Sequence, residues 1–436
     1  MPLALVAAAA LVSAAVVQQG LFSAGIGPYA AFRIPALVAC PCTRDDALKA
    51  APPNCVFAFA EGRTLSSQDA GPIDIVLRRS SDGGRSWGEL EVAVSWSDGA
   101  TTCGNPSPVC LDTGEGGERG ELVLVFTVNN TWPFVTRLSE DGAWAPARNL
   151  SGEVKLPGWG WMATGPGHGV QLRGPSPFAG RLVVPVDRKL LNADISIALK
   201  VRASEGQADA RVRPSAYARF VTSNADAPHD VYAGSVLLDD WALLPEFVIG
   251  GGRAAALLSD DGGRRWRIGG AVPSHNSNSN EASIAELDDG TLAMSFRVQS
   301  PTGAAAHCRH FALSADGGET WGAPFTAEDC AVLDPVCQGA ILHVRGLGVL
   351  TSGPDSSRTR EAMSVQRAAH ADATGLRGWQ LVARLSHGPA AYSDLALLPL
   401  PSVAQGIAIG VLYELGSFGG GPASIVFASL QIDHSE

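Results

Sequence analysis

One short pattern recurs along this 436-residue chain and constrains its fold more than any other feature. Ser80-Ser-Asp-Gly-Gly-Arg-Ser-Trp87, Ser259-Asp-Asp-Gly-Gly-Arg-Arg-Trp266 and Ser314-Ala-Asp-Gly-Gly-Glu-Thr-Trp321 all obey S-x-D-x-G-x-x-W. A shortened copy occupies 139–144 and a loose one 372–379. An Asp in such a turn accepts hydrogen bonds from successive backbone N–H groups, glycine supplies positive φ, and Trp plugs the hairpin base. The pattern is therefore a fold staple and carries no chemistry. Its spacing counts the units. From Asp82 to Asp141 is 59 residues, to Asp261 a further 120, to Asp316 a further 55 and to Asp372 a further 56. The double step implies a unit near residue 200 that has lost its motif, six in all. Short β-rich runs (73–77, 121–128, 181–186, 291–296, 407–412) alternate with Gly, Pro, Asp and Ser clusters, and helical periodicity is scarce. Small antiparallel sheets repeating at this interval predict an all-β fold: a six-bladed β-propeller of four-stranded antiparallel sheets, one domain over 16–436.

Composition narrows the setting. A hydrophobic fraction of 46% excludes wholesale disorder. The net charge of -11 argues against a nucleic-acid or anionic-membrane partner held by bulk charge. The basic residues are lopsided, four lysines against 28 arginines, and arginine is the side chain suited to bidentate carboxylate recognition. Residues 3–17 are uninterrupted apolar or small side chains, too short for a membrane span of roughly 20 residues. They predict a signal peptide over 1–15, cleaved after Ser13-Ala14-Ala15, although no Lys or Arg precedes them. No other stretch is long and apolar enough to cross a bilayer. Eight cysteines (Cys40, Cys42, Cys55, Cys103, Cys110, Cys308, Cys330, Cys337) then suggest up to four disulfides in an oxidising compartment. A metal site through Cys40-x-Cys42 lacks a second ligand pair. The sequons at Asn129 and Asn149 agree with secretion.

Further motifs fall in a fixed order. Phe32-Arg33-Ile34-Pro35 is followed by Phe59-Ala-Glu-Gly-Arg63, Gly165-Pro-Gly-His-Gly-Val-Gln-Leu172 and Asn280-Glu281 leading into 287–292. Tyr392-Ser-Asp-Leu395 and Leu412-Tyr-Glu414 complete the set. Phe-Arg-Ile-Pro near the N-terminus with several of these Asp boxes resembles the sialidases, over almost the whole chain after the leader. The resemblance implies an exo-α-sialidase that removes terminal sialic acids from sialylated oligosaccharides, glycoproteins or glycolipids with retention. It implies no metal and no organic cofactor.

The implied roles agree with what the reaction needs. Sialic acid carries a carboxylate on its anomeric carbon, and convergent guanidinium groups bind such an anion. The resemblance assigns this triad to Arg33, Arg297 and Arg360, with Arg358 as the alternative third member. Taken singly, each would be a surface arginine or a strand-pairing ion. A carboxylate nucleophile would meet repulsion from the substrate's own carboxylate, and sialidases use a tyrosine instead. Phenol ionises only near pH 10, so a base must take its proton. By resemblance Tyr392 is the nucleophile, Glu281 its base and Asp69, on the loop 64–72, the acid. Asp74 competes with Asp69 but lies inside an apolar β run. Arg63 adds a contact to the sugar, and Glu414 holds Arg33 by a salt bridge. Trp132, Trp159, Trp161 and Met162 are candidates for the N-acetyl pocket, with blade core as the competing reading. Two other functions share these motifs: a trans-sialidase, and a non-catalytic propeller that binds sialylated glycans. Location is expected to be secreted or lumenal.

Overall fold

In the computed structural model the described residues are 15–41, 54–96, 98–112, 120–139, 142–156, 159–190, 252–273, 278–299, 307–399, 406–416 and 424–432. They form six antiparallel sheets arranged as the blades of a propeller. The first blade comprises Ala31–Pro41, Asn54–Arg63, Ile73–Ser80 and Glu91–Val94, and the second Cys103–Asp112, Gly120–Val128, Trp132–Leu138 and Arg148–Asn149. The third comprises Trp159–Thr164, Leu182–Leu190, Arg253–Ser259 and Arg267–Ala271, with an extra two-residue strand, Val170–Gln171, on Leu182–Leu190. The fourth runs from Ser279–Glu286 through Leu292–Val298 and His310–Ser314 to Phe325–Thr326. Ala340–Val344, Gly348–Pro354, Met363–Asp372 and Gly375–Arg384 make the fifth. The sixth joins both ends of the chain. Ala390–Leu397, Ile407–Leu415 and Ser424–Ile432 are completed by the N-terminal strand Ala15–Phe22, paired antiparallel to Ser424–Ile432. Residues 1–14 of the expected signal peptide lie outside the described residues, while Val16 and Val17 belong to this closing strand.

The six-blade count stands, but the reason given for the 120-residue step does not. Residue 200 falls between two partners of one hairpin: Leu182 to Arg188 pair with Ser259 to Arg253 in the third blade. The long step is therefore spanned by two adjacent strands of one blade. The blade without a box is the sixth. Its outer strand comes from the other end of the chain, so no hairpin turn exists to carry one.

Each full box works as its residue types require. Asp82 Oδ1 accepts from the backbone N–H of Arg85 and Ser86 at 2.9 Å each, and Gly83 and Gly84 take φ of 74° and 87°. The tryptophans do more than plug their own hairpin, because each faces the preceding blade. Trp87 meets Phe427 of the sixth blade edge-on at 5.0 Å, and Trp379 stacks on Phe311 of the fourth at 5.4 Å. Trp266 and Trp321 are buried in clusters shared with the second and third blades. The core is thus a ring of seams, each apolar cluster drawing on two neighbouring blades.

Cysteine pairing stays below the upper limit of four disulfides. Cys40–Cys110 ties the first blade to the second, Cys308–Cys330 closes a loop in the fourth, and Cys55 is also disulfide-bonded. Cys103 and Cys337 are free thiols, so four disulfides cannot form. They are buried in separate apolar clusters, where burial pushes each thiol up to about 12. Cys40, committed to a disulfide, is no metal ligand. Among the described residues no helix is long and apolar enough to cross a membrane.

Candidate active site

In an antiparallel blade the start of the innermost strand and the end of the next lie at the same end of the sheet. Arg33, Glu281 and Tyr392 start innermost strands; Arg63, Arg297 and Glu414 end second strands. The propeller therefore gathers side chains up to 381 residues apart at one mouth.

Local backbone irregularity aims them. The pairing register slips between Arg33 and Ala36, between Ser279 and Ala282, and between Ala391 and Ser393. These β-bulges take Arg33, Glu281 and Tyr392 out of ordinary strand alternation. Ile34 sits at φ 60°, a costly conformation for a β-branched residue. Its N–H, freed from the ladder, donates to Glu414 Oε1 at 2.9 Å, and the following Pro35 has no N–H to satisfy.

The phenol of Tyr392 is the centre of the cluster. Its hydroxyl donates to Glu281 Oε1 at 2.5 Å and accepts from Arg297 Nη1 at 3.2 Å. The same Nη1 lies 2.7 Å from Glu281 Oε2. Arg33 and Arg360 place their guanidinium carbons 5.0 and 5.5 Å from the ring centroid. Burial above all, and then the Glu281 carboxylate, push the Tyr392 hydroxyl well above its ordinary value, against the pull of Arg297 and Arg33. The resting phenol is protonated, and its proton points at a carboxylate. Arg358, two residues before Arg360, is exposed and takes no part in this cluster.

Asp69 bridges the other side. Its Oδ1 accepts from Arg33 Nη1 at 3.1 Å and lies 2.9 Å from Arg63 Nη1, with a side chain 70% exposed on its loop. Arg63 is buried and held by Glu61, whose Oε2 accepts from Nη2 at 2.6 Å and from Nε at 3.0 Å. Glu414, also buried, accepts from Arg33 Nε at 3.2 Å. Asp74 faces away and accepts from the Tyr29 hydroxyl at 2.8 Å. All eight expected site residues thus meet around one mouth.

Several contributors were not singled out from the sequence. Glu61 stands two residues before Arg63 on the same strand, a period-2 signal that was available. Asn105 donates to Asn130 Oδ1 at 2.8 Å, and Asn130 to the Asp69 carbonyl at 3.1 Å, so the second blade steadies the loop that carries Asp69. Gln338 donates to the Ser393 carbonyl at 3.0 Å and accepts from its N–H at 2.9 Å, which fixes the Tyr392 strand. Asp394 accepts from the Leu37, His168 and Leu395 backbone N–H groups and from the His168 ring, joining three blades beneath the mouth. Of the N-acetyl candidates, Trp159 and Met162 are blade core. Trp132 is exposed beneath Lys155, and Trp161 is half-buried beneath Lys189. Ser279 and Asn280 lie on the innermost strand of the fourth blade, and 274–277 before them lie outside the described residues. Among the described residues no group of three or more His, Cys, Asp or Glu side chains is arranged to hold a metal ion.

Comparison with known proteins agrees with the fold. Residues 55–402 match the BNR repeat-like domain family. The chain is 30% identical over 339 residues to human sialidase-4, covering 71% of this chain and 54% of that one. It is 31% identical over 201 residues to the exo-alpha-sialidase of Aspergillus fumigatus, covering 40% of this chain and 45% of that one. It is 25% identical over 406 residues to a sialidase of Micromonospora viridifaciens, covering 86% and 50%. The chain spans about half the length of these curated relatives. Its fold resembles the Hadza microbial sialidase Hz136, with a TM-score of 0.64 at 20% identity, covering 95% of this chain and 68% of that one. It also resembles the intramolecular trans-sialidase of Ruminococcus gnavus, with a TM-score of 0.62 at 15% identity, covering 94% and 96%.

Proposed function

We propose, because the chain belongs to the BNR-repeat family of sialidases, that it is an exo-α-sialidase acting with retention through a tyrosyl-linked intermediate. The observation that carries this reading is the short Tyr392–Glu281 hydrogen bond with Arg297 set against both partners. Arg33, Arg297 and Arg360 bind the substrate carboxylate and hold the anomeric carbon over the Tyr392 oxygen. Asp69 protonates the departing glycosidic oxygen. Tyr392 Oη attacks the anomeric carbon as Glu281 takes the phenolic proton, and the alcohol leaves. Water, losing its proton to Asp69, then attacks the same carbon from the vacated face; Tyr392 departs and recovers its proton from Glu281. Two inversions give net retention. A neutral phenol beside the substrate carboxylate avoids the repulsion that a carboxylate nucleophile would meet. Substrates are terminal sialic acids on oligosaccharides, glycoproteins or glycolipids. The disulfides suit a secreted or lumenal protein.

The test is a fluorogenic α-sialoside, with and without lactose. Wild-type protein releases fluorophore, Tyr392→Phe does not, and proton NMR shows the α-anomer of sialic acid as the first product. Formation of sialyl-lactose would assign a trans-sialidase, as would transfer within the substrate for the intramolecular kind. Sialoside binding without release would leave a glycan-binding propeller and sink the hydrolase reading.

A further inference from the structure

Beside the cluster, on the third blade, stands a carboxyl group that the mechanism above does not use. Asp187 lies on Leu182–Leu190 and is 1% exposed. Its Oδ2 has no hydrogen-bond partner among the described residues, an expensive condition for a buried carboxyl. Strand alternation puts Asp187 and Lys189 on one face. On that face a polar chain runs to the nucleophile. Lys189 Nζ donates to Gln299 Oε1 at 3.3 Å, Asn280 Nδ2 donates to the same oxygen at 3.1 Å, and Arg297 Nε donates to Asn280 Oδ1 at 2.9 Å. Arg297 then serves both Tyr392 and Glu281.

We infer that Asp187 is a positioning residue that shares Arg297 electrostatically with Glu281, so that its charge sets how firmly Arg297 holds the Tyr392–Glu281 pair. This rests on the reading of Tyr392 and Glu281 as nucleophile and base. The charged groups acting on Asp187 are Lys189 from its own strand, Glu281 from the innermost strand of the fourth blade and Arg297 from the next. The flanking strand Trp159–Thr164 brings no charge, but the Trp161 indole acts on the Asp187 carboxyl and favours its ionised form. Arg188 and its register partner Arg253 belong to the opposite face, Arg188 lying 4.1 Å from the Trp159 ring centroid. Burial is the largest influence and, with Glu281, pushes Asp187 up to about 7 against Lys189, Arg297 and the Trp161 indole. Below that pH the group is neutral and Arg297 is left to the active pair. Above it the new negative charge draws Arg297 and disfavours a charged Glu281.

Turnover of the sialoside therefore falls as pH rises through about 7, by about tenfold, the effect of one pK unit of coupling. In Asp187→Asn the fall is absent. In Lys189→Met, which removes a cation that favours ionised Asp187, it moves to higher pH. A readout independent of turnover is the carboxyl carbon resonance of Glu281, which steps with the ionisation of Asp187 near pH 7 and loses that step in Asp187→Asn. Profiles of Asp187→Asn or Lys189→Met that superimpose on wild type would overturn the inference, as would a Glu281 resonance that keeps the same step near pH 7 in a folded Asp187→Asn protein. Should wild-type protein cleave no sialoside, the resonance still decides the coupling, while the loss counts against the hydrolase reading alone.

Discussion

Arg358 and Arg360 share one loop, yet Arg360 turns its guanidinium toward the Tyr392 ring while anchoring Nη2 on the Val336 carbonyl at 2.8 Å. On the proposed reading, Arg360→Met removes one charged contact to the substrate carboxylate, worth about 2 kcal/mol in such bonds, so kcat/KM should drop about 30-fold, mostly through KM. Arg358→Ala should leave both constants near wild type, and steady-state kinetics on the sialoside separates the two. The wider arginine excess acquires a role at the same scale. Arg78 of the first blade donates to the Leu21 carbonyl of the sixth at 2.9 Å. Arg181 of the third reaches the Gly317 carbonyl of the fourth at 3.0 Å, and Arg309 of the fourth the Gly339 carbonyl at the start of the fifth at 2.8 Å. A guanidinium offers five donors in a planar fork, which suits a seam lined by backbone carbonyls.

At the level of elements, five of the six innermost strands carry a register slip near the mouth. Regular alternation would point half of such residues into a neighbouring blade; the bulge re-aims them and frees backbone N–H groups for Glu61 and Glu414. The Asp boxes sit outside the site and act on stability. Asp316 accepts from the Thr320 N–H at 2.9 Å and its hydroxyl at 2.5 Å, and from the Ser314 hydroxyl at 2.8 Å. Burial opposes its charged form, but these bonds prevail and hold the carboxyl below its ordinary value. Asp316→Ala should destabilise by about 1–3 kcal/mol with turnover at permissive temperature unchanged, as urea unfolding and the sialoside assay would show.

For the whole molecule, closure of the ring is the governing event. Strand Ala15–Phe22 fastens the sixth blade, and Cys40–Cys110 fastens the first to the second across 70 residues. Losing that disulfide by Cys110→Ser should cost about 2–4 kcal/mol in chemical unfolding. Alkylation of native protein should spare Cys103 and Cys337, which react only after denaturation. Beneath the mouth, burial alone would lower His168, yet the Asp394 carboxylate raises its pKa above the ordinary value. A raised folded pKa gives stability that is complete below about pH 6.5 and is lost as pH climbs through the folded value. Thermal unfolding across pH should show that alkaline decline in wild type and a flatter profile in His168→Gln.

The amino-acid sequence marked five blades by their boxes, set the turns and, by resemblance, named every residue proposed for catalysis. All of these are local: a box needs only its own eight residues to satisfy an Asp, and each motif is contiguous. Tertiary structure decided what depends on neighbours. It decided that Arg360 rather than Arg358 joins Arg33 and Arg297, because loop geometry and not spacing sets where a guanidinium points. It decided that Cys103 and Cys337 stay unpaired, since a disulfide requires two chains to approach and these thiols lie in different seams. The 120-residue step misled because spacing counts residues without saying which strands pair across them. Asp187 was silent for the same reason. A single Asp in a β run is an ordinary residue until the fold buries it within reach of the charge on Arg297 and leaves its Oδ2 without a hydrogen bond.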